Sequence, residues 1–375
     1  MTLTSPKAFH LLPLVVLGLV LGISGGWIRL GSTLIPIASA GMNHGLLMVG
    51  CFLGTLISIE RAMVLKKKIW LVIPFLTGLS SLFFLTGMIQ IGLLLLLVGS
   101  LGLGIIMHLQ SVRHPHFHTF LLYAGAMFWF IGNFMTWRSG LIAAGTTWWM
   151  GFLLFTIVGE RLELSQFLPV PPWTKKALVI HLLLVFIGLL VPFHTWGNEI
   201  LGLGILLIAV WLLVFDIAKV IAKKTEQFRY LGVGLSTGYL WLGGQGIILF
   251  ALESHPLFYD LILHTFFLGF TFSMIWAHAP SIFPTIFGIR ETPYHPILWV
   301  TWTLFQVSLA GRVLFSLMES YELRKAFGVA NGYLILIQFG IMAGIVIWKI
   351  RNRKPIGNLN HIRKEKNSPI LDSRV

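Results

Sequence analysis

LIPIASAGMNHGLLMVGCFLGTLISI, residues 34–59, contains no lysine, arginine, aspartate or glutamate. The stretch is longer than the roughly 20 residues that an α-helix needs to cross a bilayer. Eleven other apolar stretches of comparable length follow or precede it, near residues 11–30, 70–88, 91–108, 118–137, 141–158, 177–195, 198–218, 230–250, 257–283, 295–315 and 326–348. The sequence therefore predicts an all-α membrane bundle of about 12 transmembrane helices.

The overall composition excludes a soluble protein. Of 375 residues, 56% are hydrophobic and only 11% are charged, and the mean hydropathy is +0.86, whereas soluble domains carry about 25% charged residues. We expect a single transmembrane domain over residues 1–348 and a basic tail over 349–375. The single cysteine, Cys51, excludes an internal disulfide, a four-cysteine zinc site and an iron–sulfur cluster. Any metal or haem must therefore be held by some of the 13 histidines.

The basic residues indicate the orientation of the bundle. Of the 27 lysines and arginines, 22 fall in the tail and in loops on the side where both termini lie. By the positive-inside rule this side is cytoplasmic, which predicts a multi-pass protein of a bacterial-type inner membrane with both termini inside. The net charge of +14 is thus explained by the excess of lysine and arginine on the cytoplasmic side of a membrane protein. We expect the lipid bilayer, and no nucleic acid, as the surroundings of the chain.

Two sequence strings recur at the same offset and indicate an internal repeat. Glu60-Arg61 and Glu160-Arg161 close the second and sixth predicted helices, and Leu-Gly-Leu-Gly occurs at 101–104 and at 201–204. The offset equals four helices, so the repeats are parallel, and three four-helix units are predicted. Adjacent residues on a helix do not face each other, so we expect ion pairs between repeats, Glu60 with Arg161 and Glu160 with Arg61. Proton uptake is the alternative role of these carboxylates.

A histidine lies at a similar depth in each of two corresponding helices. His44 in the second helix and His264 in the tenth lie about 10–15 Å below the outer surface, at 1.5 Å per residue. Polar side chains at such depth are costly without partners. We interpret the pair as axial ligands of a six-coordinate haem, with Gly41, Gly45 and Gly269 leaving room for the macrocycle. The alternative is that each imidazole is hydrogen-bonded to a backbone carbonyl or hydroxyl of a neighbouring helix.

Four other histidines are candidate metal ligands. His114, His116 and His118 alternate in the loop between the fourth and fifth helices, and His278 lies at the inner end of the tenth. Imidazole suits copper and zinc, so copper is predicted as a second cofactor. A solvated interfacial loop is the alternative interpretation of the alternating histidines.

Three segments of the chain resemble a known family. They are MNHGLLMVGCFLGTLISIERA (42–62), GERLELSQFLP (159–169) and HTFFLGFTFSMIWAHAPSIFP (264–284). They are similar to segments of the NnrS-type membrane proteins, which contain haem and copper and are associated with the response to nitric oxide. The twelve-helix plan, with histidines on helices 2 and 10, also resembles the core subunit of haem-copper oxidases, where those two helices hold the low-spin haem.

The resemblance implies a haem protein but not an oxygen-reducing enzyme. Helix 6 has no histidine for a copper centre, and His264 and His278 are too far apart in sequence to form the His-x-His pair that oxidases carry on helix 10. The implied function is electron transfer, with a redox partner or a quinol, or the handling of nitric oxide.

Two other functions fit the same sequence features. A cofactor-free transporter would use histidine and glutamate for proton or substrate coupling, and Gly243-Gly244-Gln245-Gly246 is the interrupted segment that it would need. A metal or haem assembly factor would use the histidine-rich loop instead.

Overall fold

A computed structural model describes residues 6–32, 36–65, 67–166 and 168–352. Twelve helices in these ranges are long and apolar enough to cross a membrane, no strand occurs there, and the predicted all-α fold is confirmed. In chain order they are α1 (Leu12–Arg29), α2 (Leu46–Val64), α3 (Lys68–Leu85), α4 (Ile89–Arg113), α5 (Phe117–Ser139), α6 (Ile142–Ser165), α7 (Pro172–Leu190), α8 (Phe193–Phe215), α9 (Glu226–Ala251), α10 (Phe258–Thr285), α11 (Leu298–Leu317) and α12 (Tyr321–Arg351). The basic tail beyond residue 352 lies outside the described residues.

The helices alternate in direction, so the bundle has two ends. We call the end where α1 begins and α2 ends the basic end, and the other the opposite end. Consecutive helices pack against each other, and α12 also packs against α1. Helices α2, α6 and α10 are the most buried: in the apolar 18-residue segment of each, 67%, 67% and 61% of the residues are buried. Helix α10 contacts both α2 and α6. Burial thus peaks at every fourth helix, and the three four-helix repeats stay a prediction from the sequence.

Aromatic stacking fixes the register between α2 and α10. The rings of Phe52 and Phe272 stack with centroids 5.9 Å apart, and Phe339 of α12 packs edge-on against Phe52. Each of the two stacked residues follows a histidine, His44 or His264, by eight positions in sequence. The two histidines therefore lie at corresponding levels of their helices, as the sequence predicts.

Both histidine-bearing segments lead into a widened helix. A π-helical stretch, in which each amide bonds to the carbonyl five residues earlier, covers Leu46–Gly54 in α2 and Thr265–Phe272 in α10. Such stretches are rare in proteins and are frequent at functional sites. The third corresponding helix, α6, is α-helical throughout Ile142–Ser165 and carries no histidine. Among these three corresponding helices, the π-helical stretch therefore occurs in the two that carry a histidine, and a further short one covers Phe193–Gly197 in α8.

The segment that a transporter would need is not interrupted. Helix α9 is continuous over Glu226–Ala251 and includes Gly243–Gly246. A methyl group added at Gly244 would meet no atom within 4 Å among the described residues. The expected break in this helix is therefore wrong, because glycine in a membrane helix is tolerated wherever the backbone hydrogen bonds continue.

Candidate functional site

A cavity of about 410 Å³ lies at the opposite end of the bundle. Six helices line it: α1, α2, α6, α10, α11 and α12. Both His44 and His264 contribute to its wall, from the two helices that correspond in repeats one and three. Its volume is within the range of about 300–1,000 Å³ that is usual for ligand and cofactor sites. The structure therefore brings the two predicted ligands to one site.

His44 is held by the backbone of α1. Its Nδ1 lies 2.7 Å from the carbonyl oxygen of Gly22, which can accept a hydrogen bond only, so the imidazole carries its proton on Nδ1. A methyl group built on Gly26 would lie 3.1 Å from Cε1 of the ring, so the absence of a side chain there allows the close approach. Nε2 makes no hydrogen bond to any described residue, and it remains available to a ligand in the cavity.

His264 is held in the same way but has further partners. Its Nδ1 lies 2.7 Å from the carbonyl oxygen of Asp260, one helical turn earlier, and 3.1 Å from the Oδ1 atom of the same residue. Nη2 of Arg312 lies 3.0 Å from Nε2 and 3.1 Å from Nδ1 of the ring, and 3.0 Å from Asp260 Oδ1. The guanidinium therefore bridges the imidazole and the carboxylate at the cavity wall.

The charge around the cavity is unbalanced. Three arginines line it, Arg29, Arg312 and Arg324, against one carboxylate, Asp260. Arg324 Nη1 lies 3.7 Å from the free oxygen of Asp260, so the single carboxylate serves two guanidinium groups. The Nε atoms of Arg312 and Arg324 are buried and have no hydrogen-bond partner among the described residues. Buried unpaired donors are costly, and they indicate that acceptors are missing from this part of the site.

The residues around the cavity fit a haem held by two imidazoles. Metal-ligating histidines characteristically donate the other ring N–H to a carbonyl or carboxylate, and both His44 and His264 do so. The unpaired arginine donors would meet the two propionate carboxylates that a haem carries. Nε2 of His264 would hold the iron in place of its contact with Arg312, which is also paired with Asp260.

The glutamate–arginine pairs of α2 and α6 form a cluster at the basic end. Arg61 donates to Glu160, which confirms that expected contact between repeats. Arg61 Nη2 also lies 3.3 Å from Glu60 Oε1, so the expectation that neighbours in sequence would not pair is wrong. The two side chains are long enough to meet although they are adjacent in sequence.

Arg161 does not pair with Glu60 as expected. It pairs instead with Asp216, in a cluster that was not predicted from the sequence. Asp216, fully buried at the end of α8, accepts from Arg161 Nε and Nη2 at 3.2 Å each. The same carboxylate accepts from the Ser165 hydroxyl at 2.8 Å, the Tyr239 hydroxyl at 2.9 Å and the Ala218 amide at 2.9 Å. The contact joins α6, α8 and α9. The sequence did contain a signal for this cluster, because Asp216 directly follows a long apolar stretch.

The family of the chain follows from a comparison with known proteins. The model of one family, a domain of unknown function designated DUF8744, matches residues 8–347. The chain belongs to this family. No curated protein and no solved structure matches it. The family domain contains the cavity and the Asp216 cluster, and it ends within the last turns of α12.

His278, predicted as a metal ligand, has both ring nitrogens engaged. Nε2 lies 2.9 Å from Arg161 Nη1, and Nδ1 lies 2.9 Å from the Met274 carbonyl oxygen. His264 makes the same two kinds of contact, so a metal at His278 stays a prediction from the sequence. The structure thus places His278 in the Asp216 cluster, where it positions Arg161.

The alternating histidines do not converge on a common point. His116 and His118 stack with ring centroids 5.3 Å apart, and the His116 side chain caps the first turn of α5. His114 ends α4 on the surface. Within the described ranges, no group of three or more histidine, cysteine, aspartate or glutamate side chains could hold a metal ion. Copper at this loop stays a prediction from the sequence.

Proposed function

We propose that this chain is a haem-binding integral membrane protein in which His44 and His264 are the axial ligands. One observation carries the proposal: two imidazoles from corresponding helices line the same cavity, and each has its Nδ1 fixed at 2.7 Å from a backbone carbonyl. This arrangement sets the tautomer and aims Nε2 away from the helix backbone. It is the arrangement expected of metal-ligating histidines.

The charges at the cavity support the same ligand. The three arginines and Asp260 leave two positive charges uncompensated, and a haem brings two propionate carboxylates. Charge-assisted hydrogen bonds from guanidinium to carboxylate are among the strongest in proteins. An apolar cofactor alone would not relieve the unpaired arginine donors, and a cation would be repelled by them.

A haem held by two imidazoles supplies one-electron transfer and has no open coordination position. The chain would contribute orientation and a dry environment. Val49, Trp149 and Phe267 line the cavity, and Phe52 and Phe272 stack eight residues further along the chain from His44 and His264. Electrons would therefore be exchanged at the opposite end, with a redox partner or a quinol. Handling of nitric oxide is the second role within this proposal.

The orientation in the membrane follows from the loop charges. We place the basic end in the cytoplasm, because most lysines and arginines of the chain lie there and cytoplasmic loops carry the excess of these residues. The haem would then lie toward the outer face of a bacterial-type inner membrane, and both termini would be cytoplasmic.

The deciding experiment is an absorption spectrum of the detergent-purified protein, oxidised and then reduced with dithionite. We expect a sharp Soret band with split bands on reduction, and we expect His44→Ala and His264→Ala each to lose this six-coordinate signature. His255→Ala is the matched control, because His255 lies at the same end but does not line the cavity. A colourless, monodisperse protein, produced with an adequate haem supply, would refute the proposal and favour a transporter.

A further inference from the structure

Two glutamates at the basic end contact the same nitrogen of one arginine. Arg61 Nη2 lies 3.3 Å from Glu60 Oε1 and donates to Glu160 Oε1. Arg61 is buried, whereas the side chains of Glu60 and Glu160 are 27% and 26% exposed. The glutamate pair, as we call Glu60 and Glu160, thus places two carboxylates around one buried cation, and each carboxylate keeps a part of its surface open.

The charges around the glutamate pair do not balance. Arg61 carries one positive charge for the two carboxylates. Glu163, which follows Glu160 by three residues, adds a third carboxylate whose charge acts on Arg61. Arg161, the next cation, already has Asp216 as its partner. Like charges that share a site disfavour full ionisation, and a proton retained by such a pair belongs to the pair as a whole.

Buried polar groups beside the pair lack partners. Arg61 Nε is buried and has no hydrogen-bond partner among the described residues, and the same holds for the hydroxyls of Ser58 and Thr156. Ser58 precedes Arg61 by three residues and Thr156 precedes Glu160 by four, so each shares a helix face with a member of the cluster. Buried polar groups of this kind are commonly bonded to ordered water. They indicate a hydrated site, which the exchange of a proton requires.

The other charged groups that face the pair do not supply the missing positive charge. Arg161 and Glu163 act on it from α6. On the helices packed against α2 and α6, His118 of α5 lies near Glu163, His278 of α10 is bonded to Arg161, and Gln110 of α4 is neutral and bonds to the backbone of α2 at 3.2 Å. The cations at the ends of α3, α4 and α7 are exposed: Lys68, Arg113, Lys175 and Lys176.

We propose that the glutamate pair is a proton-binding site, which exchanges one proton with the water at the basic end. The two carboxylates share the proton, and Arg61 balances the one negative charge that remains. Uptake of the proton needs no other reactant. The site makes the contact between α2 and α6 respond to the pH of the compartment at this end. The proposal does not depend on a haem, because His44 lies at the other end of α2.

Infrared difference spectroscopy tests the proposal, because the C=O stretch of a protonated carboxyl group is separate from the bands of carboxylates and amides. The full-length protein is measured in a detergent without ester groups, from about pH 6 to pH 9, where an exposed glutamate is ionised. We expect a carboxyl band that shifts in D2O and disappears as the pH rises. Glu60→Gln and Glu160→Gln should each lose the whole band, since the remaining carboxylate forms an ordinary ion pair with Arg61.

Glu163→Gln is the matched control and should keep the band, because the two carboxylates that contact Arg61 Nη2 are unchanged. Stability gives a second measurement. A folded chain that holds a proton which the unfolded chain has released loses stability as the pH rises. The midpoint of unfolding should therefore fall over this pH range in the wild-type protein, and it should fall less in Glu160→Gln.

Three results would each overturn the proposal. They are a wild-type protein without the carboxyl band, a band that survives in Glu60→Gln or Glu160→Gln, and an equal pH dependence of the midpoint in Glu160→Gln and the wild type. If one variant does not fold, the wild-type band with its D2O shift and its loss at high pH, together with the other variant, still decides the question.

Discussion

The Asp216 cluster makes the sharpest prediction about stability. Asp216 and Arg161 are 0% and 1% exposed in their side chains, and the carboxylate accepts five hydrogen bonds. Asp216→Asn preserves the shape of the side chain and removes its charge. Arg161 then remains buried without a carboxylate in hydrogen-bonding distance among the described residues. Breaking one side of a buried ion pair costs about 3–5 kcal/mol.

The single cysteine provides the assay. Cys51 is fully buried in α2, so a thiol-reactive fluorophore reports unfolding without any engineered label. At about 2 °C per kcal/mol for a chain larger than a small domain, the midpoint of unfolding should fall by about 6–10 °C. The double variant Asp216→Leu with Arg161→Met should be less destabilised than Asp216→Asn, because it leaves no buried charge without a partner.

Glu60→Gln is the matched control, a change from carboxylate to amide at the same end of the bundle. Its side chain is 27% exposed, and Arg61 keeps its contact with Glu160. Partly exposed ion pairs contribute about 0–1 kcal/mol, so the midpoint should move by no more than about 2 °C. If Asp216→Asn and Glu60→Gln shift the midpoint equally, the carboxylate of Asp216 is not the buried centre that its contacts indicate.

Three further predictions test the cavity, the register and the orientation. Gly26→Val should displace the His44 ring and lower haem occupancy in the absorption spectrum, whereas Gly244→Ala, which meets no described atom, should not. Phe52→Ala should lower the free energy of unfolding by about 3–5 kcal/mol through the lost stack on Phe272, which thermal unfolding would show; a change below about 1 kcal/mol would contradict the register. In a Cys51→Ser background, Lys224→Cys should react with a membrane-impermeant thiol reagent only when the reagent is added on the cytoplasmic side. Glu319→Cys should react only when it is added on the outside. The reverse pattern would show that the orientation is inverted.

The helices could be predicted because each must satisfy its own backbone in lipid. A polar backbone group without a partner in the hydrocarbon region costs several kcal/mol, so a long apolar stretch has few alternatives to a helix. The stretch 34–59 is an example, although α2 covers Leu46–Val64 and a separate short helix, Ala38–Met42, precedes it. The same rule gives no information on π-helical bonding, because the widened stretches Leu46–Gly54 and Thr265–Phe272 also satisfy their backbone. Their position after each histidine had no sequence signature.

The site could be predicted only in part, because polar partners depend on which helix faces meet. His44 and His264 were found from depth and repeat position alone. Asp260 precedes His264 by four residues and Arg312 lies within a predicted span. Both are signals, since a charged residue inside a membrane helix indicates a functional site by default. The sequence does not show that α11 brings Arg312 to α10, however, and the unpaired Nε donors are visible only once the helices are packed.

The two ends of the bundle show how the same residue types take different roles. In the Asp216 cluster the carboxylate accepts five hydrogen bonds, and Arg161 has each of its three nitrogens bonded. Arg61 Nε, at the same end, is buried without a partner among the described residues. At the opposite end, Asp260 is shared by Arg312 and Arg324, and both arginines keep a buried donor without a partner among the described residues. A satisfied buried network stabilises one packing, whereas an unsatisfied one indicates a missing acceptor. The case for a ligand at the cavity therefore rests on the two imidazoles together with the two arginines that share one carboxylate.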